Sequence, residues 1–107
     1  MKHRIYNKLV RDRIPEIIEA SGGRCDTRIL AGKEYLAMLK AKLREEIAEY
    51  EESGELEELA DILEILRALA AAGGGTPEEL EAVRARKAEE RGGFREKILL
   101  IAVDEAD

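Results

Sequence analysis

The sequence contains few of the residues on which many small folds depend. It has one cysteine, one histidine, two prolines and no tryptophan in 107 residues, and aromatic residues make up only 4%. The single cysteine, Cys25, excludes an intramolecular disulfide framework and fits a reducing compartment. Because aromatic residues are so scarce, we expect a core of Leu, Ile and Ala, which is typical of packed helices.

Long apolar runs are also missing. Near the C-terminus the longest, ILLIAV at 98–103, is far shorter than the roughly 20 residues that span a bilayer. The first residues, MKHRIYNKLVRDR, do not resemble a signal peptide. We therefore expect a cytoplasmic protein that does not contact a membrane. The net charge of −6 argues against a protein that binds the backbone of nucleic acids.

Glycine and proline positions predict the organisation of the chain. We expect a single domain over 1–107, all-α, forming a small bundle of four to five helices. The principal helices are predicted at about 33–52, 55–72 and 77–91, after a short one that begins near Asp12 and ends at Ser21. Short extended segments are possible near 26–30 and 94–103. Because a lone core of this size is only moderately stable, we expect oligomerisation to complete it.

Four acidic residues carry the strongest chemical signal: Glu46 and Glu49 on one predicted helix, and Glu58 and Asp61 on the next. Each pair is spaced i, i+3, so its members share a helix face. At about 100° per residue, Glu46 and Glu58 lie inside the apolar arcs, and Glu49 and Asp61 lie at their edges. On the second helix, with Leu59 taken as zero, the apolar arc includes Ile62, Leu63 and Leu66, and Ile65 widens it to about 240°. Since buried carboxylates need cations, we predict a site for a hard divalent metal.

Two features limit this interpretation. The chain has 24 Asp and Glu residues, so pairs at helical spacing also arise by chance, and most of them are solvated. Lys42 lies near 240° on the first helix, beside Glu46, and could neutralise part of the cluster without a metal. On the same wheel Glu45 lies near 180° and is expected to face away.

Basic residues near the two ends of the chain are candidates for binding phosphate. Lys8 and Arg11 precede a predicted helix start, where anions bind readily. Three further cations share one stripe of the last predicted helix, namely Arg84, Lys87 and Arg91. Such a stripe could hold phosphate oxygens. Its cations could equally pair with nearby acids such as Glu81 or Glu90.

Four segments together resemble a known family. They are the opening YNKLVRDRIPEII, EExxE at Glu45–Glu49, ExxD at Glu58–Asp61 and KAEERGGF at Lys87–Phe94. In this order they resemble the all-α nucleoside triphosphate pyrophosphatases of the MazG superfamily, relatives of phosphoribosyl-ATP pyrophosphohydrolase. The resemblance spans nearly the whole chain and is strongest to the short, single-domain house-cleaning branch. The eight residues between Glu49 and Glu58 form a shorter connection than many members have.

The resemblance implies an enzyme that hydrolyses a nucleoside triphosphate between its α and β phosphates, releasing the monophosphate and pyrophosphate. It implies Mg²⁺, with Mn²⁺ as a substitute, bound by the matching acids: Glu46, Glu49, Glu58 and Asp61. Glu46 or Glu49 would also act as the general base, and Glu45 would support the ligands. The candidates for phosphate contacts are Lys8, Arg11, Lys87 and Arg91. The family also implies a homodimer or homotetramer, and noncanonical nucleotides as substrates.

Three other functions compete with this one. A phosphoribosyl-ATP pyrophosphohydrolase would use the same metal chemistry on a different substrate. A di-iron carboxylate bundle is disfavoured, because that design needs two Glu-x-x-His motifs and the only histidine is His3. A helical interaction module without enzymatic activity would bind no divalent metal.

Overall fold

Glycine-containing segments separate four α-helices in residues 2–106, the part of the chain that the computed structural model describes. These helices are α1 (Ile14–Ala20), α2 (Gly32–Ser53), α3 (Leu56–Ala72) and α4 (Pro77–Arg91). No strand occurs within those residues, which confirms the all-α prediction. The segments 26–30 and 94–103 form neither helix nor hydrogen-bonded strand.

Local signals define the helix ends. Gly54 ends α2 with φ 65°, a left-handed conformation that glycine adopts without strain, and its N–H donates to the Tyr50 carbonyl at 2.8 Å. At the start of α4, the Thr76 hydroxyl accepts a hydrogen bond from the Glu79 N–H at 3.0 Å, and Pro77 follows the cap. The predicted bounds of α2, α3 and α4 are therefore confirmed to within a residue or so.

Helices α2 and α3 form an antiparallel hairpin around a thin core. Within residues 2–106, the buried apolar side chains are Leu39 of α2 and Ile65 of α3, and between the same helices lies the buried Glu46. Helix α4 contacts α3 but not α2 in this part of the chain. The N-terminal arm, residues 7–11, joins α1 to the hairpin through ion pairs.

Only one edge of the predicted apolar arc of α3 is buried against α2. Ile65, at that edge, is buried, whereas Leu59 and Leu63 are exposed. Helix α3 carries apolar residues on two faces, and α2 covers only one of them. Hydrophobic periodicity alone could not show which face this would be.

The molecule is elongated. Its radius of gyration is 19.0 Å and its extents are 68 × 32 × 22 Å. A compact domain of similar length has a radius of gyration near 13 Å. Large apolar side chains are exposed along α3 and in the C-terminal segment, where Phe94, Leu99 and Ile101 are each more than four-fifths exposed. None of the four helices combines the length and the apolarity that crossing a membrane would require in residues 2–106.

Candidate metal centre

Three carboxylates meet on one turn of α2. One oxygen from each of Glu45, Glu46 and Glu49 lies within 4.8 Å of the other two. Their spacing explains the cluster, because residues three and four positions apart are neighbours on a helix surface. We call these three residues the α2 acid cluster. It includes two of the four predicted metal ligands, Glu46 and Glu49.

Glu46 is the buried member of the cluster. The residue is only 6% exposed, and its Oε2 has no hydrogen-bond partner within the described residues. Burial raises the pKa of the Glu46 carboxyl, and the neighbouring Glu49 carboxyl raises it further. A buried carboxylate oxygen without a partner is costly and rare in folded proteins.

Lys42 partly neutralises the cluster, as the sequence suggested it could. Its ammonium nitrogen lies 3.4 Å from an oxygen of Glu46 and 3.4 Å from an oxygen of Glu45. The lysine side chain is 19% exposed, so this contact is largely sheltered from water. It engages Oε1 of Glu46 and leaves Oε2 without a partner.

The prediction that Glu45 faces away from the cluster is wrong. Glu45 is half-buried, because the N-terminal arm packs over this side of α2 and Lys8 donates to Glu45 Oε1 at 2.8 Å. That hydrogen bond lowers the pKa of the Glu45 carboxyl and raises the pKa of the Lys8 ammonium. The charges of Glu49 and Glu46 also raise the pKa of Lys8, so this cation lies within electrostatic reach of the whole cluster.

The two predicted ligands on α3 have other partners. Asp61 accepts a hydrogen bond from Arg11 at 2.6 Å, and Glu58 accepts one from the Ser53 hydroxyl at 2.8 Å. Both acids are half-buried, and neither belongs to the α2 acid cluster. The charge of Glu46 contributes to the raised pKa of Arg11, so the Arg11 guanidinium that binds Asp61 also interacts electrostatically with the cluster. The arm's two cations thus each pair with an acid of the hairpin, Lys8 with Glu45 and Arg11 with Asp61.

The basic residues of α4 lie elsewhere. Lys87 and Arg91 are exposed, and neither forms an ion pair within residues 2–106. Since α4 contacts α3 but not α2, a single chain does not bring these two cations against the α2 acid cluster. Arg84 of the same stripe pairs with Glu81 at 2.6 Å, as the alternative interpretation expected.

The donor set fits a hard divalent cation. Carboxylate oxygens are the ligands that Mg²⁺ prefers, and the unpartnered Oε2 of Glu46 is an available one. Glu49 is exposed and leaves one side of the cluster open to solvent. Sequence reasoning gave Glu45 only a role in supporting the ligands, whereas one of its oxygens lies within 4.8 Å of oxygens of Glu46 and Glu49. Its i, i+4 spacing to Glu49 was a usable signal.

Comparison with known proteins gives little information about function. No family model and no solved structure matches the chain. A 42-residue stretch, 39% of the chain, is 60% identical to a protein of Mycolicibacterium smegmatis described only as uncharacterized. The match covers 43% of that relative's length.

Proposed function

We propose that the chain is a Mg²⁺-dependent nucleoside triphosphate pyrophosphohydrolase. It would cleave between the α and β phosphates and release the nucleoside monophosphate and pyrophosphate. The single observation that carries the proposal is the buried Glu46. Its Oε2 has no partner among residues 2–106, and one of its oxygens lies within 4.8 Å of oxygens of Glu45 and Glu49. The ordered motifs that resemble the MazG superfamily support the same activity.

In this proposal Glu46, Glu49 and Glu45 hold the cation, and Glu58 and Asp61 complete the set from α3. When bound, Mg²⁺ neutralises phosphate charge and acidifies a water molecule. Glu49 is the better candidate for general base, because it is exposed and can accept a proton from a water at the open side of the cluster. Glu46 is too deeply buried to meet bulk water and serves to position the cation.

Lys8 and Arg11 are the proposed phosphate-binding residues of the same chain. Each now neutralises an acid beside the cluster, at 2.8 Å and 2.6 Å respectively. Both are substantially exposed, so a triphosphate can draw them from their carboxylate partners at little cost. Lys87 and Arg91 remain candidates for further phosphate contacts. We also propose a cytoplasmic location, noncanonical nucleotides as substrates, and a homodimer or homotetramer.

The test is pyrophosphate release from a panel of nucleoside triphosphates in Mg²⁺. The wild-type chain should release pyrophosphate from at least one of them, and Glu49→Gln or Asp61→Asn should abolish release while the helical circular dichroism is retained. Glu51→Gln is the matched control, because Glu51 is an exposed acid of the same helix. Full activity in both Glu49→Gln and Asp61→Asn would contradict the assignment of these two residues to a metal site. Parallel assays with phosphoribosyl-ATP distinguish a nucleoside triphosphate pyrophosphohydrolase from a phosphoribosyl-ATP pyrophosphohydrolase.

One set of contacts favours a second candidate, a helical interaction module without enzymatic activity. Lys42, Lys8, Arg11 and Ser53 already partner most of the acids without a metal. Such a module would melt at the same temperature in Mg²⁺, Mn²⁺ and EDTA, whereas a metal-binding enzyme would melt higher with either cation.

A further inference from the structure

An exposed tyrosine lies beside the α2 acid cluster. Tyr6 immediately precedes the N-terminal arm and is 63% exposed. Its ring centroid lies 6.0 Å from the ammonium nitrogen of Lys8, which is the range of a cation–π contact. The same nitrogen lies 2.8 Å from Oε1 of Glu45. One lysine therefore contacts both the Tyr6 ring and a carboxylate of the cluster.

The backbone between the ring and the cation has an unusual conformation. Asn7 has φ 46°, in the left-handed region that few residues other than glycine adopt. Asparagine tolerates this region better than most residues, because its short side chain can form local hydrogen bonds. Residues held in such conformations are concentrated at sites that bind ligands. Asn7 sets the direction in which the chain enters the arm, and with it the place of the Tyr6 ring.

The other aromatic residues do not share this position. The chain has three tyrosines, one phenylalanine and no tryptophan. Tyr35 and Tyr50 are half-buried on α2. Phe94 is 98% exposed, but it follows α4, which contacts α3 and not α2 in residues 2–106. Among those residues, Tyr6 is thus the exposed ring that a direct contact links to the α2 acid cluster.

We propose that the Tyr6 ring stacks on the base of the nucleotide that the site binds. This inference rests on the proposed function, and it names the residue that binds the base. The groups along this part of the chain follow the order of groups in a nucleotide. Arg11 and Lys8 pair with acids of the hairpin and are placed to bind phosphates, and Tyr6 lies beyond Lys8.

Lys8 can leave the ring when a nucleotide binds. Its distance of 6.0 Å is at the outer limit of a cation–π contact, and its side chain is 41% exposed. A base can therefore replace the ammonium group on the ring at little cost, while the ammonium group binds phosphate oxygens. An exposed ring contacts the face of a base and not its hydrogen-bonding edge, so the stacking should accept any base.

The test uses nucleotide analogues that carry a methylene group between the α and β phosphorus atoms and cannot be cleaved there. Because the chain has no tryptophan, Tyr6→Trp introduces a single fluorophore at the proposed position. In Mg²⁺, the adenosine analogue should quench its fluorescence saturably. Inorganic triphosphate, which has no base, should change the fluorescence little.

Calorimetric titration of the full chain measures the contribution of the ring. Tyr6→Ala should weaken binding of the adenosine and cytidine analogues by about tenfold or more, and should leave binding of inorganic triphosphate unchanged. Tyr6→Phe keeps an aromatic ring and should bind like the wild type. Phe94→Ala is the matched control, because Phe94 is an exposed ring away from α2, and it should also bind like the wild type. Circular dichroism checks that all variants keep the wild-type helix content.

The outcomes separate this inference from the proposed function. Equal weakening of the analogues and of inorganic triphosphate by Tyr6→Ala, or no weakening of either, would overturn the stacking. Loss of analogue binding in Phe94→Ala but not in Tyr6→Ala would also overturn it. If Tyr6→Ala weakens binding of the analogues alone, the stacking is supported even when the wild type releases no pyrophosphate, a result that would contradict only the proposed activity. A wild-type chain that binds no nucleotide would contradict both.

Discussion

The ammonium nitrogen of Lys42 lies 3.4 Å from Oε1 of Glu46, while Oε2 of the same carboxylate is buried and has no hydrogen-bond partner in the described part of the chain. The lysine therefore provides a partner for only one of the two oxygens of this buried carboxylate. A divalent cation held by the three carboxylates of the α2 acid cluster would satisfy the remaining oxygen. This asymmetry distinguishes the cluster from a completed structural ion pair.

Lys42→Gln should lower the stability of the metal-free chain and tighten metal binding. Glu45 and Glu46 lose their shared cation, but a divalent ion entering the cluster no longer meets a nearby positive charge. We expect Mn²⁺ affinity to rise by about tenfold or more. Lys40→Gln is the control, since Lys40 is exposed on the same helix. Unchanged or weaker Mn²⁺ binding by Lys42→Gln, measured by calorimetric titration, would contradict the competition.

Glu46→Gln should stabilise the chain in EDTA near neutral pH. Burial raises the pKa of Glu46 in the folded state, so the favourable contribution of its protonated form is present at low pH and is lost as pH rises through the folded pKa. Above that pH the folded chain holds a buried charge that glutamine does not have. We expect a gain of about 1 kcal/mol in the free energy of unfolding, or a Tm higher by about 4–8 °C.

The gain from Glu46→Gln should shrink as the pH falls below 4.5, the ordinary pKa of a glutamate carboxyl, because Glu46 then becomes protonated in the unfolded state as well. Glu51→Gln, at an exposed position of α2, should show no such dependence. The measurement is thermal unfolding by circular dichroism across the pH range. If Glu46→Gln destabilised the chain equally at all pH values, the buried charge of Glu46 would not be what lowers the stability of the wild type.

Arg11→Gln should release the N-terminal arm with little loss of global stability. Its ion pair with Asp61 spans 50 residues of sequence and is partly exposed, so its contribution is below about 1 kcal/mol. Backbone order parameters of residues 7–11, from NMR relaxation, should fall, and added salt should have the same effect on the wild type. Arg13→Gln is the control, because Arg13 pairs with Glu16 and not with an acid of the hairpin. Equal order parameters in both variants would show that the arm is held by other contacts.

Thr76→Ala should loosen α4 specifically. The Thr76 hydroxyl accepts the Glu79 N–H at 3.0 Å, and loss of such a cap costs about 1 kcal/mol. Amides of α4 should exchange faster, while those of α2 and α3 should be nearly unaffected, because α4 contacts only α3. Thr76→Ser keeps the acceptor and should behave like the wild type. The same loosening in Thr76→Ser would exclude the cap as its cause.

The helices could be predicted from the sequence because their ends depend on local residues. The left-handed conformation of Gly54 is enough to end α2. Thr76 and Pro77 define the start of α4 through local contacts alone. The packed face of α3 could not be predicted in the same way. Its predicted apolar arc is wide and includes both Leu59 and Ile65, and only tertiary structure shows that Ile65 is the one buried.

The site was predictable only in part. Glu46 and Glu49 follow from helical periodicity, and Lys42 follows from the same wheel. The contacts of Lys8 with Glu45 and of Arg11 with Asp61 join residues 37 and 50 positions apart, and no local pattern encodes them. Those two contacts decide which acids are already neutralised.

The measurement that tests the account most directly is binding of Mn²⁺ to the full chain, followed by electron paramagnetic resonance as the free-ion signal disappears. The wild type should bind Mn²⁺ saturably, Mg²⁺ should compete, and Glu46→Gln should lose this binding while Glu51→Gln retains it. Equal binding by the wild type and Glu46→Gln, or no binding by the wild type, would contradict a metal centre at the α2 acid cluster.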